Sequence, residues 1–164
     1  MAVVGVGQEL NGDDAAGVKV AQTLSRRQRV GLSDALRPVP VSLLVVEAAH
    51  APENCTGAIR RFAPDLVLLV DAAEMGDPPG TIRWLAWQDT GDLGGSTHTL
   101  PPFMLAKFLA TEFTCEVALI GIQRQDTRFG APISPPVRRA VRAVVRELAA
   151  LLLTSEGRTR SAPR

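Results

Sequence analysis

Cysteine is nearly absent: Cys55 and Cys115 are the only two in 164 residues. They stand far apart and outside any C-x-x-C pair, which removes a disulfide framework and a zinc-thiolate centre and leaves two buried free thiols as the expectation. Histidine is as scarce, at His50 and His98 alone, so any imidazole chemistry has two places to come from. No apolar run approaches the roughly 18 residues that a membrane-spanning helix needs. The start, Met-Ala-Val-Val-Gly, lacks the basic-then-apolar order of a secretory signal. Both absences point to a cytoplasmic protein without membrane insertion. Charge of one sign is missing too, with 18 Lys+Arg against 17 Asp+Glu for a net +1. Ser155 to Arg164 hold three Arg and one Glu, a surplus of +2 that leaves −1 on the rest. No basic field for nucleic acid remains. A G-x-S-x-G elbow and an H-E-x-x-H helix are also absent, and neither cysteine has a histidine close in sequence, so serine, cysteine and zinc-helix hydrolases lose their signatures.

What is present is ordinary for a folded domain: 46% hydrophobic residues, 21% charged residues and 14 Gly. The length suits one domain, placed at 1–153 with a flexible tail over 154–164. Apolar runs of strand length alternate with segments of helical period, the pattern of an α/β domain. The expected architecture is a three-layer α/β/α sandwich around a mostly parallel five-stranded twisted sheet. Strands are expected at Ala2 to Val6, Val41 to Val46, Leu66 to Val70, about 82–87, and Val117 to Ile122. Only ten residues separate Asp71 from Ile82, too few for a parallel crossover, so the strand at 82–87 is expected to be antiparallel. Helices are expected from about Asp13, after Pro52, over about Pro102 to Thr111, and from Pro135 with Ser134 as its cap. The last one carries Val137, Val141, Val144, Val145, Leu148, Leu151 and Leu152 on its apolar face, with Arg138, Arg139, Arg142 and Arg146 mostly outside.

In an open α/β sheet, ligands bind off the carboxyl ends of the strands where the strand order reverses. Three segments meet that condition. Gly5-Val6-Gly7 leads from the first strand through Gly12-Asp13-Asp14 into a helix. A dinucleotide fingerprint fails there, because Leu10 occupies the third glycine position and the loop is acidic where pyrophosphate would bind. Asp13 and Asp14 have a plain explanation as helix-start carboxylates. Asp71, placed after the central strand, has no helix start to cap and must be solvated or engaged. His98 lies in Ser96-Thr97-His98 at a helix entrance, and His50, after the second strand, is the spare imidazole. An acid at the mouth of the first strand, Asp71 and His98 converge in one cleft on this topology, and two carboxylates with an imidazole suit a divalent transition metal with open positions.

These segments resemble the hydrogenase maturation endopeptidases, which trim the C-terminus of the large subunit of nickel-iron hydrogenases after nickel insertion. The resemblance covers nearly the whole chain. It rests on Val4-Gly5-Val6-Gly7 through Gly12-Asp13-Asp14 with Gly17, Ala51-Pro52-Glu53-Asn54, Leu68-Leu69-Val70-Asp71-Ala72 with Met75-Gly76 and Pro79-Gly80, Ser96-Thr97-His98, and Leu119-Ile120-Gly121-Ile122-Gln123. The Ala-Pro-Glu-Asn and Gly-Ile-Gln segments look most like the hydrogenase 3 branch, which serves formate-hydrogenlyase-type enzymes. Carried over, the family's metal-contacting and catalytic residues are Asp14, Asp71 and His98. The resemblance implies an aspartyl-type endopeptidase, a monomer that acts on the precursor of a hydrogenase large subunit. Nickel is supplied by that substrate as the recognition element, and zinc or cadmium can occupy the same ligands in vitro. A noncatalytic nickel-sensing chaperone on the same fold is the alternative. The chain departs from the family at Gln8, where Asn is usual, at Ala15, where Gly is usual, and at Ala48-Ala49, where a partner-recognition loop carries glycines.

Overall fold

A computed structural model of the protein describes residues 1–31, 42–49, 55–86 and 102–154. In chain order the elements are β1 (Ala2–Val6), a 3-10 turn (Gly12–Ala15), α1 (Ala16–Gly31), β2 (Leu44–Ala49), α2 (Thr56–Phe62), β3 (Leu66–Ala73), β4 (Ile82–Leu85), α3 (Pro102–Glu112), β5 (Glu116–Gln123) and α4 (Pro135–Thr154). The strands form one sheet in the order β2-β1-β3-β5-β4. Pairing is parallel throughout except between β4 and β5, which run antiparallel as the short span before Ile82 requires.

Side-chain alternation along the central strands divides the core in two. Val3, Leu68, Val70, Ile120 and Ile122 face α1 and α4, where they meet Val20, Leu24, Val137, Val144 and Leu148. Val4, Val67, Leu69 and Leu119 face the other way, against Ile59 of α2 and Leu105 and Leu109 of α3. The result is the expected three-layer sandwich. On α4, Arg138, Arg139, Arg142 and Arg146 are exposed as read from the sequence. Leu151, in the last turn of α4, is exposed, contrary to its helical phase. Strand β2 is centred further along than expected, ending at Ala49. Thr154, expected to open the tail, still belongs to α4; the rest of the expected tail, Pro52, His50 and His98 lie outside the described residues.

Two close approaches decide how the site end of the sheet is built. A side chain on Gly5 would overlap the Gly17 carbonyl, and one on Gly17 would overlap the carbonyls of Val6 and Val70. The first turn of α1 therefore rests on the ends of β1 and β3 with backbone against backbone, which only glycine permits. On the other flank of β1, Gly5 pairs with Glu47 but Val6 pairs with Ala49, so Ala48 is the extra residue of a β-bulge. Ala49 takes a left-handed φ of 47° and accepts a 3.1 Å hydrogen bond from the Gly7 N–H.

Because β2 lies on one side of β1 and β3 on the other, the chains leaving β1 and β3 part in opposite senses and open a crevice at their carboxyl ends. Gly17→Ala should close that approach badly. Urea unfolding is expected to show a loss of about 3 kcal/mol, the upper range for overpacking a well-filled core. A variant within about 0.5 kcal/mol of the parent would mean that α1 can retreat from the sheet at no cost.

Candidate functional site

The turn out of β1 separates two acids that look alike in sequence. Gly7, at φ 127°, passes so close to the Asp14 carbonyl that a Cβ would overlap it. Gln8 then donates its backbone N–H to Asp14 Oδ2 at 2.8 Å. Because that bond is a main-chain one, the Gln8 side chain has no part in it, and the exchange of Asn for Gln leaves the hold on Asp14 intact. Asp13 turns the other way and is fully buried. Its Oδ2 accepts the N–H groups of Gln125 and Asp126 at 2.9 and 3.0 Å, and its Oδ1 accepts that of Ser134 at 2.6 Å. The Asp13 N–H closes the set on the Asp126 carbonyl at 2.8 Å. Asp13 is therefore spent on structure, and Asp14 is left facing the crevice. The same bonds change the reading of Ser134. It stands at the head of α4, but its hydroxyl has no partner among the described residues, and the residue is held through its N–H by Asp13.

Asp71 sits inside β3, not after it, because β5 continues to Gln123 and keeps pairing as far as Ala73. Its Oδ1 is 3.8 Å from the point where a Gly7 Cβ would stand, so the Asp71 carboxylate and the Asp14 main chain border the same glycine, one from β3 and the other from the 3-10 turn. Burial, and next the neighbouring Asp14 charge, push the Asp71 carboxyl up to about 7, against the opposing pull of the Ala72 N–H and the Arg124 charge. Burial also raises Asp14, opposed by the Gln8 N–H and by Arg124. Two crowded carboxylates that resist ionising together are relieved by a cation between them. Their oxygens are suitable donors for a divalent metal that also has ligands elsewhere.

Arg124, which the sequence reading did not single out, places its charge within reach of both Asp14 and Asp71. It follows β5 directly, its N–H bonds the Ala73 carbonyl at 3.2 Å, and its Nε lies 3.4 Å from Glu74 Oε2. Gln123 beside it donates to Glu74 Oε1 at 3.0 Å and accepts the Met75 N–H at 2.7 Å, which fixes the turn leaving β3. The Gly-Ile-Gln motif pointed to Gln123 without showing that its amide is a clamp.

Of the three residues singled out, the described structure brings Asp14 and Asp71 together, whereas His98 lies outside the described residues, as does His50. Among the described residues no group of three or more His, Cys, Asp or Glu side chains gathers around one point. Cys55 is buried as expected, but Cys115 is only partly buried, in the turn between α3 and β5. Burial and the Glu116 charge raise its thiol, which suits an inert residue. Ala48 and Ala49 belong to the bulged end of β2, and Ala48 is buried in the core beside Cys55 and Ile59, not displayed to a partner.

A family model described as hydrogenase maturation protease matches residues 18–151. The hydrogenase 3 maturation protease of Escherichia coli K12 is 31% identical over 144 residues, covering 87% of this chain and 85% of that protein. The crystal structure of a [NiFe] hydrogenase maturation protease from Thermococcus kodakarensis KOD1 superposes with a TM-score of 0.76 at 28% identity, over 93% of this chain and 91% of that one. The hydrogenase-maturating endopeptidase HybD of E. coli shares the fold at a TM-score of 0.71 and 20% identity, over 94% and 93% of the two chains.

The two acids of the first turn should part experimentally. Asp13→Asn replaces an acceptor oxygen with an amide that faces backbone N–H donors, and denaturant unfolding is expected to show a loss of about 3 kcal/mol. Asp14→Asn, with one backbone bond at stake, should cost less than about 1 kcal/mol. A second outcome follows from Asp71. Its folded-state carboxyl is raised to about 7 from an unfolded value of about 3.9. Between those values the folded protein holds the proton more tightly, so its contribution to stability is complete below about pH 4 and lost as pH rises through about 7. In metal-free protein, Asp71→Asn should therefore melt a few degrees above the parent at pH 8, and the gap should vanish at pH 4. Equal melting temperatures at both pH values would show that the carboxyl is not crowded.

Proposed function

This chain belongs to the hydrogenase maturation protease family, and from that premise we propose that it is the endopeptidase that removes the C-terminal extension from a nickel-loaded precursor of a nickel-iron hydrogenase large subunit. The observation that supports the reading is that the Asp14 charge acts on the buried Asp71 carboxyl, at the end of the sheet where the strand order reverses. Two neighbouring carboxylates with raised proton affinity, each with a single backbone N–H for a partner, are apt as ligands for a cation that arrives from outside.

In this proposal Asp14, Asp71 and His98 are both the metal-contacting and the catalytic residues. The nickel belongs to the substrate, held by the precursor's own thiolates, and the three side chains complete its coordination. Binding the metal places the adjoining peptide bond in the crevice, so nickel acts as checkpoint and template. Water then adds to the scissile carbonyl carbon, the C–N bond breaks and the amine leaves with a proton. The carboxylate pair supplies the candidate general base. Free zinc or cadmium would occupy the same ligands weakly. We take the enzyme to work as a monomer in the cytoplasm. Among the described residues no helix is long and apolar enough to cross a membrane.

The test is incubation with the nickel-loaded precursor, read by mass spectrometry. A loss equal to the C-terminal extension is expected with the parent chain and none with a soluble Asp71→Asn variant. A precursor without nickel should stay intact even when zinc is added. Cleavage by Asp71→Asn at the parent rate would remove the metal reading. Binding of the nickel-loaded precursor without any mass loss would favour a nickel-sensing chaperone.

A further inference from the structure

Two apolar side chains stand in solvent on two loops bonded to each other, one of which leads into Asp14. Phe129 is 80% exposed and Leu10 is 63% exposed. Each is at the corner of a hydrogen-bonded turn. Leu10 lies in the turn closed by Asn11 N–H to the Gln8 carbonyl at 3.1 Å. Phe129 lies in the turn closed by Ala131 N–H to the Arg128 carbonyl at 3.1 Å, followed by Gly130 at φ 74°, the arrangement of a type II turn. The turns are tied together, since the Gly130 N–H donates to the Leu10 carbonyl at 2.7 Å. The Asp13 carboxylate binds the loop at Gln125 and Asp126, and the Arg128 guanidinium holds the Asp126 carboxylate at 2.6 Å. A Cβ on Gly12 would overlap the Asp126 carbonyl, so the two loops touch backbone to backbone there as well.

Position gives this pair its meaning. Residues 8–14 include both Leu10 and the Gln8 N–H that holds Asp14. The loop carrying Phe129 starts at Arg124, beside the end of β3, and runs past β3 to reach the β1 turn. Together the loops form one fixed rim along the α1/α4 side of the crevice. We propose that Leu10 and Phe129 are the apolar lip on which the precursor polypeptide lies, taking an apolar side chain that flanks the metal-bearing segment and thereby setting substrate specificity. This rests on the endopeptidase reading, under which a polypeptide must cross this rim to reach Asp14 and Asp71. The rim is already held in place, and docking on it demands no rearrangement.

The experiment compares the parent with Leu10→Ala, Phe129→Ala, the double variant and Phe129→Leu in steady-state processing of the nickel-loaded precursor, with Asp71→Asn in parallel. Both side chains are exposed, so melting temperatures should stay within about 2 °C of the parent, as for ordinary surface substitutions. The double variant is expected to raise KM about tenfold or more, with kcat within about twofold and with unchanged affinity for free cadmium. Phe129→Leu should recover most of the KM. A KM within about twofold of the parent in the double variant overturns the proposal. So does sedimentation showing a parent dimer that Phe129→Ala dissolves, which would assign the lip to a second copy. If the KM rises while Asp71→Asn still cleaves, the metal reading falls and the lip stands. If Asp71→Asn is dead and KM does not move, the lip alone falls. A parent chain that neither binds nor cleaves the precursor overturns both.

Discussion

The Asp13 carboxylate is the bond on which the rest of the site depends. Its three backbone partners lie 112, 113 and 121 residues away in the chain, and through them the turn after β1, the loop after β5 and the head of α4 become one body. A buried carboxylate is costly unless its oxygens are satisfied, and here three N–H groups satisfy it. With Asp13 so engaged, the 3-10 turn has one orientation, and Asp14, one residue on, is turned toward the crevice. The fixed rim bearing Leu10 and Phe129 derives from the same three bonds.

The site joins opposite electrostatic demands across a few ångströms. Asp13 is surrounded by donors, while Asp14 and Asp71 face each other with one backbone N–H apiece and the shared Arg124 charge. Arg124 is itself partly occupied by Glu74, so it tempers the repulsion without cancelling it. The pair remains short of positive charge, which is the condition that the proposed substrate-borne cation would relieve.

The sheet was legible in the sequence because its central strands are buried on both faces. Leu66 to Val70 and Ala2 to Val6 read as unbroken apolar runs, and chain length alone decided the direction of β4. Asp71 was legible as a candidate by its position near the strand end, although the strand extends two residues beyond it, since pairing with Ile122 and Gln123 of β5 leaves no mark near Asp71 in the chain. Asp13 and Asp14 could not be told apart bottom-up, because the partners of Asp13 are more than a hundred residues away; only the family pattern chose between them. Arg124, Leu10 and Phe129 were illegible for a related reason: an arginine after a strand and two apolar residues in turns have meaning only once two distant loops share an edge.

Ala49 shows a different kind of economy. An L-residue with a side chain held at φ 47° gives up about 1 kcal/mol that glycine would keep, yet alanine excludes most of the other conformations that glycine would visit. The strain is carried permanently in the resting protein. In exchange, the end of β2 is held at a bulge whose Ala49 carbonyl is bonded to the Gly7 N–H, and Gly7 packs against the Asp14 main chain and the Asp71 carboxylate. A loss of configurational entropy that a looser hinge would meet at each encounter with substrate has here been met once, during folding.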